Sequence, residues 1–368
     1  MPPRAAWQSA LLWLAGAVII IGLVGFTGVI TLPDRQTGTV GDLSASDPQV
    51  VWHKWDSLWY ERIAVHGYGY QLEDIKGQAA AGYFPLYPML VGLILRVAPG
   101  FSFFWTGAML STLSTLAALA LIAGWLSENA TAARRALFVT LTSAGAFYLV
   151  IPYTEGLFLL LVALTMVLTR RRQYVWAGAC CGLAAVTRVH GLALIAVPIA
   201  ACLLDPRLEP RVRRQRAGAA LVLFAIPFGI YLAYMAHIQG TASAFLARQA
   251  FWGNAKPYPF RAIVGLVEHP TWPSGWLHGG FWVLSVGALW RYRRAMTPGE
   301  LLFCAGALLI STQQEIFQGI YRYVTPLLPL ALAVAADTSP MRRRIVVFNL
   351  VFATLMILAF VTRNRLAV

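Results

Sequence analysis

The sequence predicts an all-α protein, a polytopic transmembrane helical bundle of about 11 spans with a long first outer loop that carries juxtamembrane helices. Three observations point there. Of 368 residues, 58% are hydrophobic and 12% charged, where soluble domains carry roughly 25% charged residues. The apolar residues fall in runs near the length of a spanning helix, roughly 20 residues, or fewer where a helix ends in a protein-lined cavity. The net charge is +14, mostly from Arg clustered between the runs, as in the cytoplasmic loops of membrane proteins. The whole chain, 1–368, reads as one polytopic membrane domain.

The first apolar run, Ala10 to Ile30, is too long for a signal-peptide core and lacks a convincing cleavage site, so it reads as a retained anchor spanning 10–31. Ten further spans are expected near 103–125, 136–151, 155–169, 174–187, 191–204, 217–238, 277–290, 299–312, 323–337 and 344–361. With these spans, Arg4, Arg134-Arg135, Arg170-Arg171-Arg172, the Arg207 to Arg216 group, Arg291 to Arg294 and Arg342-Arg343-Arg344 fall on one face. That face is expected to be cytoplasmic. The connections 32–102, 152–154, 188–190, 239–276 and 313–322 then face outward. The run Phe84 to Ala98 is apolar enough to count as a span, but a crossing there would put the later clusters outside. With Pro85, Pro88 and Arg96 inside it, it reads as a juxtamembrane or re-entrant element at the outer surface.

Composition also excludes some functions. The basic excess suits anionic lipid, and no soluble basic domain exists to hold nucleic acid. Cys180, Cys181, Cys202 and Cys304 sit in apolar stretches with neither zinc nor disulfide spacing, and read as small core residues. Asp56 and Glu155 together are a thin case for a divalent cation, with no third ligand beside them. No metal or cofactor is therefore expected.

The orientation, set by Arg clusters alone, gathers the unusual polar residues on the opposite side. Asp56 lies in the first outer loop among Trp52, Trp55, Trp59, Tyr60, Tyr68 and Tyr70. Glu155 follows Pro152-Tyr153-Thr154 at one outer tip, Arg188 and His190 sit at the next, and Glu315, Tyr321 and Arg322 at a third. Ionisable groups near a membrane core are costly and tend to line cavities or pair. One outward-facing polar cavity accounts for all of them, with Asp56 as a base desolvated by its aromatic walls. Each also has a purely structural reading. Asp56 can pair with Lys54 or Arg62, Glu155 can cap its helix, and Arg188 can neutralise Glu155. His190 can sit satisfied at a helix end, Arg322 can stack between Tyr321 and Tyr323, and the aromatics can form an interfacial belt.

Several of these segments resemble a known family. Trp55-Asp56-Ser57 with Trp59-Tyr60, Ile63-Ala64 and Gly67-Tyr68 is similar to the first-loop signature of the PIG-V-type (GPI mannosyltransferase 2-like) mannosyltransferases and their bacterial relatives. Phe84-Pro85-Leu86-Tyr87-Pro88 resembles the element that follows it. Tyr153-Thr154-Glu155-Gly156-Leu157-Phe158, Thr187-Arg188 with Gly191-Leu192, and Arg322-Tyr323 with Pro326 and Pro329 resemble the later ones. The resemblance runs from about residue 52 to 332, carried by the order and shared face of the motifs. Two departures stand out: Ser143-Ala144-Gly145 where the family commonly has Asn-Pro, and Val189-His190 where small polar residues are usual.

The resemblance implies the GT-C class, polytopic glycosyltransferases that use lipid-phosphate sugars on the outer side of the membrane. It implies a polyprenyl-phosphate sugar donor, mannose as the sugar, an acceptor hydroxyl of unnamed identity, and an inner (cytoplasmic) membrane enzyme with a periplasmic site. Asp56 is then the expected general base of an inverting displacement. Arg188, Arg322 and His190 are the expected contacts to the donor phosphate. Glu155, Trp55, Trp59, Tyr60, Tyr153 and Tyr321 are expected to orient or bind substrate. The stretch from Gly240 to Trp276, with Trp252, Tyr258, Pro259 and Trp272, is expected to close over the donor. The alternatives are a ligase or polymerase of lipid-linked glycans, which shares the outward site, a lipid or solute transporter, whose polar groups would more often sit at mid-membrane, and a non-catalytic scaffold.

Overall fold

A computed structural model describes residues 4–32, 34, 47–68, 80–249, 258–364 and 366, and among them the chain is helical with no strand. Helix α1 (Arg4–Thr31) is followed by the short α2 (Pro48–Trp52), α3 (Asp56–His66) and α4 (Leu86–Val97). Next come α5 (Phe103–Trp125), α6 (Ala130–Leu141), α7 (Glu155–Arg170), α8 (Tyr174–Ala185), α9 (Gly191–Leu194) and α10 (Ala196–Leu203). The C-terminal half holds α11 (Pro210–Gln239), α12 (Ala244–Gln249), α13 (Arg261–Glu268), α14 (Pro273–Tyr292), α15 (Pro298–Ile310), α16 (Ile320–Val324), α17 (Leu328–Ala336) and α18 (Pro340–Val361).

Four of these, α1, α5, α11 and α18, are long and apolar enough to cross a membrane. Much of α1 and α11 is exposed apolar surface, Leu12, Ile19, Leu23, Val222 and Ile230 among it, which in water would be a liability and in lipid is not. Helices α7 and α8 are the buried centre, with α5 and α11 packed against them. The α8–α11 contact depends on Gly178 and Gly182, where any side chain would run into the Ala220 and Phe224 carbonyls of α11.

Three expected spans are divided, 191–204 only at Ile195 between α9 and α10, the other two more deeply. The run 136–151 is not one helix: α6 stops at Leu141, a single 3-10 turn covers Ala146–Leu149, and irregular backbone leads to Glu155. That backbone is tolerable inside the protein because α5 supplies hydroxyls to its carbonyls. Ser111 Oγ donates to Tyr153 O at 2.8 Å and Thr115 Oγ1 to Leu149 O at 2.7 Å, which meets two of the carbonyls that the break leaves without a helical partner. The run 323–337 is likewise divided into α16 and α17, with Pro326 at the break, where its missing N–H and ring disrupt a helix. The element from Phe84 is α4, 12 residues long. At 1.5 Å per residue it spans about 18 Å, short of the roughly 30 Å hydrocarbon core.

The helix ends sort into two sets. Arg170 of α7 pairs with Glu300 of α15 at 3.8 Å, and Arg172 with Asp205 at 3.2 Å. The opposite ends, Glu155 of α7, the residues after α8 and those after α15, meet around a cavity.

Candidate active site

Asp56 is the first residue of α3, where a helix N-terminus favours an acid. The turn before it is pinned from several sides. Lys54 Nζ donates to Val361 O at the end of α18 at 2.7 Å, Tyr153 Oη donates to Lys54 O at 2.7 Å, and Ser57 Oγ donates to the same oxygen at 2.9 Å. Trp55 takes a positive φ of 58° with ψ −122°, a region costly for any residue but Gly. The chain thus turns sharply at Trp55 and presents Asp56 to the cavity.

Around Asp56 stands a charge-balanced quartet. Arg322 Nη1 donates to Asp56 Oδ2 at 2.8 Å, and its Nε donates to Glu155 Oε1 at 2.8 Å. Arg188 Nη1 reaches the same Glu155 oxygen at 2.7 Å and Thr154 Oγ1 at 2.7 Å. Glu155 is wholly buried, whereas the Asp56 side chain is 24% exposed. Burial opposes the charge on Arg322, but the Glu155 and Asp56 carboxylates outweigh it and hold the guanidinium well above its ordinary pKa. Its Cζ also lies 4.5 Å from the centre of the Tyr148 ring and 4.9 Å from that of Tyr153, within cation–π range.

The cavity measures about 270 Å³. Asp56, Tyr60, Tyr83, Arg188, His190, Arg322, Tyr323 and Gln314 are in its polar wall, and Phe84, Val189, Phe245 and Leu246 in its apolar one. Phe245 and Leu246 belong to α12, so the connection after α11 does border the site. Trp252 and Tyr70 lie outside the described residues. His190 Nε2 is 3.1 Å from Ser311 Oγ, and its ring stacks on Tyr323 at 4.5 Å. Burial, then Arg188 and Arg322, lower its pKa to about 3.

Five of the residues singled out in the sequence, Asp56, Tyr60, Arg188, His190 and Arg322, line this one cavity, with Glu155 directly behind them. Trp55, Trp59, Tyr153 and Tyr321 are not among the residues that line it. Trp59 is stacked on Tyr83 with ring centres 5.8 Å apart, and Arg62 Cζ lies 4.6 Å from the centre of the Trp59 ring. Tyr153 is used by Lys54, and Tyr321 Oη pairs with Tyr148 Oη at 3.2 Å while its ring stacks on His278. Lys54 and Arg62 are not the partners of Asp56. Glu315 is not part of the quartet either, because it pairs with Arg261, which also holds Glu268 at 2.6 Å. Ligand atoms of Glu268, His269 and Glu315 lie within 4.8 Å of one another, but the Arg261 guanidinium already occupies both carboxylates and would repel a cation.

Sequence reasoning passed over Tyr83, and named Thr154 and Tyr323 only as motif neighbours without a role at the site. Tyr83 Oη lies 3.4 Å from Asp56 Oδ1, and Arg188 Cζ lies 5.3 Å from the centre of the Tyr323 ring. Each is adjacent in sequence to a residue that was singled out. Fold and site together define a helical membrane-type protein with an ionic cavity at one set of helix ends. Comparison with protein-family models, with curated proteins and with solved structures finds no match to this chain.

Proposed function

We propose that the chain is a polytopic glycosyltransferase of GT-C type, with about 11 membrane passages, four long and the others short helices ending at the cavity. It moves a sugar, mannose by the resemblance, from a polyprenyl phosphate to an acceptor hydroxyl on the outer side of a cytoplasmic membrane. One observation carries the reading: a partly exposed carboxylate, Asp56, shares a cavity wall with Arg188 and Arg322, and that cavity passes into an apolar wall of Phe84, Val189, Phe245 and Leu246. An acid beside two guanidinium groups suits proton abstraction next to a phosphate. The apolar wall suits the first isoprene units.

In the proposed step the acceptor oxygen attacks the anomeric carbon as its proton passes to Asp56. The bond from that carbon to the phosphate oxygen breaks, and its electron pair leaves with the phosphate. The pairing of Asp56 with Arg322 then has a chemical use. On taking the proton Asp56 loses its charge, and Arg322 is left with attraction to spare just as the phosphate gains charge. Glu155, held between both guanidinium groups, keeps them in place throughout.

The test is transfer in membranes holding the protein, with a labelled polyprenyl-phosphate hexose and, separately, the matching nucleotide sugar. Labelled product from the lipid donor alone supports the reading. Product from the nucleotide sugar alone overturns it.

A further inference from the structure

Helix α13 turns its apolar side outward. Ile263, Val264 and Val267 are 41%, 40% and 74% exposed, and Phe260, just before the helix, is 50% exposed. By helical periodicity these four fall on one arc, and the buried Ala262, Gly265 and Leu266 on the other. The buried side is fixed to the segment that follows α15. Phe260 N donates to Thr312 Oγ1 at 2.9 Å, Arg261 Nε donates to Glu315 Oε2 at 3.2 Å, and Gly265 lies so close to Glu315 O that no side chain fits between them. That segment supplies Ser311, Gln313 and Gln314 to the cavity wall, whereas no α13 residue is among those that line the cavity.

We infer that α13 is an interfacial helix, seated with Ile263, Val264 and Val267 among the acyl chains of the leaflet on the cavity side. Its 8 residues run about 12 Å, too short to cross a bilayer and long enough to lie in its surface. The surface it joins identifies lipid as the partner. Trp276, Val283 and Trp290, at heptad spacing, share one exposed face of α14, and the 20 residues of that helix run about 30 Å, the depth of the hydrocarbon core. Tryptophans near both ends of such a face mark the two membrane–water boundaries. Trp276, at the end next to α13, donates from Nε1 to Pro270 O at 3.0 Å, so its ring is held there. Glu268 is paired with Arg261 at 2.6 Å, and the helix therefore brings no lone acid to the lipid. The stretch after α11 thus divides. Helix α12 borders the cavity through Phe245 and Leu246, while α13 fastens the Ser311–Gln314 wall to the membrane and is not part of the expected cover over the donor. This seating is independent of the transferase chemistry.

The experiment attaches a nitroxide to single cysteines, Ile263→Cys or Val267→Cys, in the full-length protein without its four native cysteines, in nanodiscs of phosphatidylcholine and phosphatidylglycerol. Collision rates are measured with oxygen, which concentrates in lipid, and with a water-soluble nickel chelate. Val283→Cys serves as the lipid reference and Arg171→Cys as the aqueous one. The ratio of oxygen to nickel collisions at 263 and 267 is expected to approach that at 283 and to exceed that at 171 severalfold. Nickel-favoured collisions at both positions would put α13 in water and overturn the inference. Low collision rates with both reagents would mean that protein covers the helix, a second copy or another segment of this chain, and would overturn it equally. A nickel-favoured ratio at 283 would remove the lipid-facing surface that α13 joins, and the inference with it.

Discussion

Arg322 Nη1 and Asp56 Oδ2 lie 2.8 Å apart, joining residues 266 positions distant in the chain. The same guanidinium holds Glu155 through Nε at 2.8 Å, so one planar group fixes two acids at once. A fork of this kind sets direction as well as distance. It leaves Oδ1 of Asp56, touched at 3.4 Å by Tyr83, as the more lightly engaged oxygen, since 3.4 Å is long for a hydroxyl bond.

Replacing Arg322 with Lys tests that fork. A single ammonium cannot bond both carboxylates in one plane. The variant should insert and fold, yet transfer at less than about a tenth of the wild-type rate. Transfer at the wild-type rate would show that only the charge matters.

Glu155→Gln should act chiefly on stability. It removes the buried charge that Arg188 and Arg322 share, leaving two guanidinium groups with Asp56, bonded to Arg322, as the one carboxylate left in the quartet. Losing one partner of a buried ionic cluster costs about 3–5 kcal/mol. The expected result is a large fall in the melting temperature of the detergent-solubilised protein; an unchanged melting temperature would mean that Glu155 is compensated by some other group.

His190 gives a pH dependence with a definite sign. Its folded pKa of about 3 lies below the unfolded value of about 6.5. In that window the unfolded chain binds a proton that the folded chain refuses. The stability it contributes is therefore full above about 6.5 and is lost as pH falls toward 3. Melting temperatures from pH 7.5 down to 4.5 should fall in wild type more steeply than in His190→Gln. Parallel curves would place His190 in a wetter setting.

Orientation is tested with single cysteines introduced at exposed positions in a background lacking the four native ones. Gly100, before α5, should be labelled by an impermeant reagent in intact cells. Arg171, at the far end of α7, should be labelled only after permeabilisation. The reverse pattern would put the cavity on the cytoplasmic side.

Much of the helix layout was legible because membrane-type helices announce themselves by apolar length, and the run from Phe84 forms one short helix of 12 residues. The break after Leu141 was not. Ala144, Ala146, Phe147 and Leu149 look like the rest of a span, and the hydroxyls that make an unwound segment affordable belong to α5, some 35 residues earlier. The site was legible where residues are ionic, since Asp56, Arg188, His190 and Arg322 were conspicuous in an apolar chain. The aromatics were harder. Trp55 and Trp59 looked like sugar platforms, but ring density alone says nothing of which face is already covered, and Tyr83 covers Trp59. The partner of Asp56 was equally hidden, because Lys54 and Arg62 were near in sequence and Arg322 was not.

The most direct measurement is sugar transfer by Asp56→Asn from polyprenyl-phosphate mannose in membranes where its insertion matches wild type. An amide cannot take the acceptor proton, so transfer should fall at least about a hundredfold, the lower end of what a positioned base supplies, with the protein still folded and the donor still bound. Transfer at the wild-type rate would mean that Asp56 only holds Arg322, and that the proton leaves by another route.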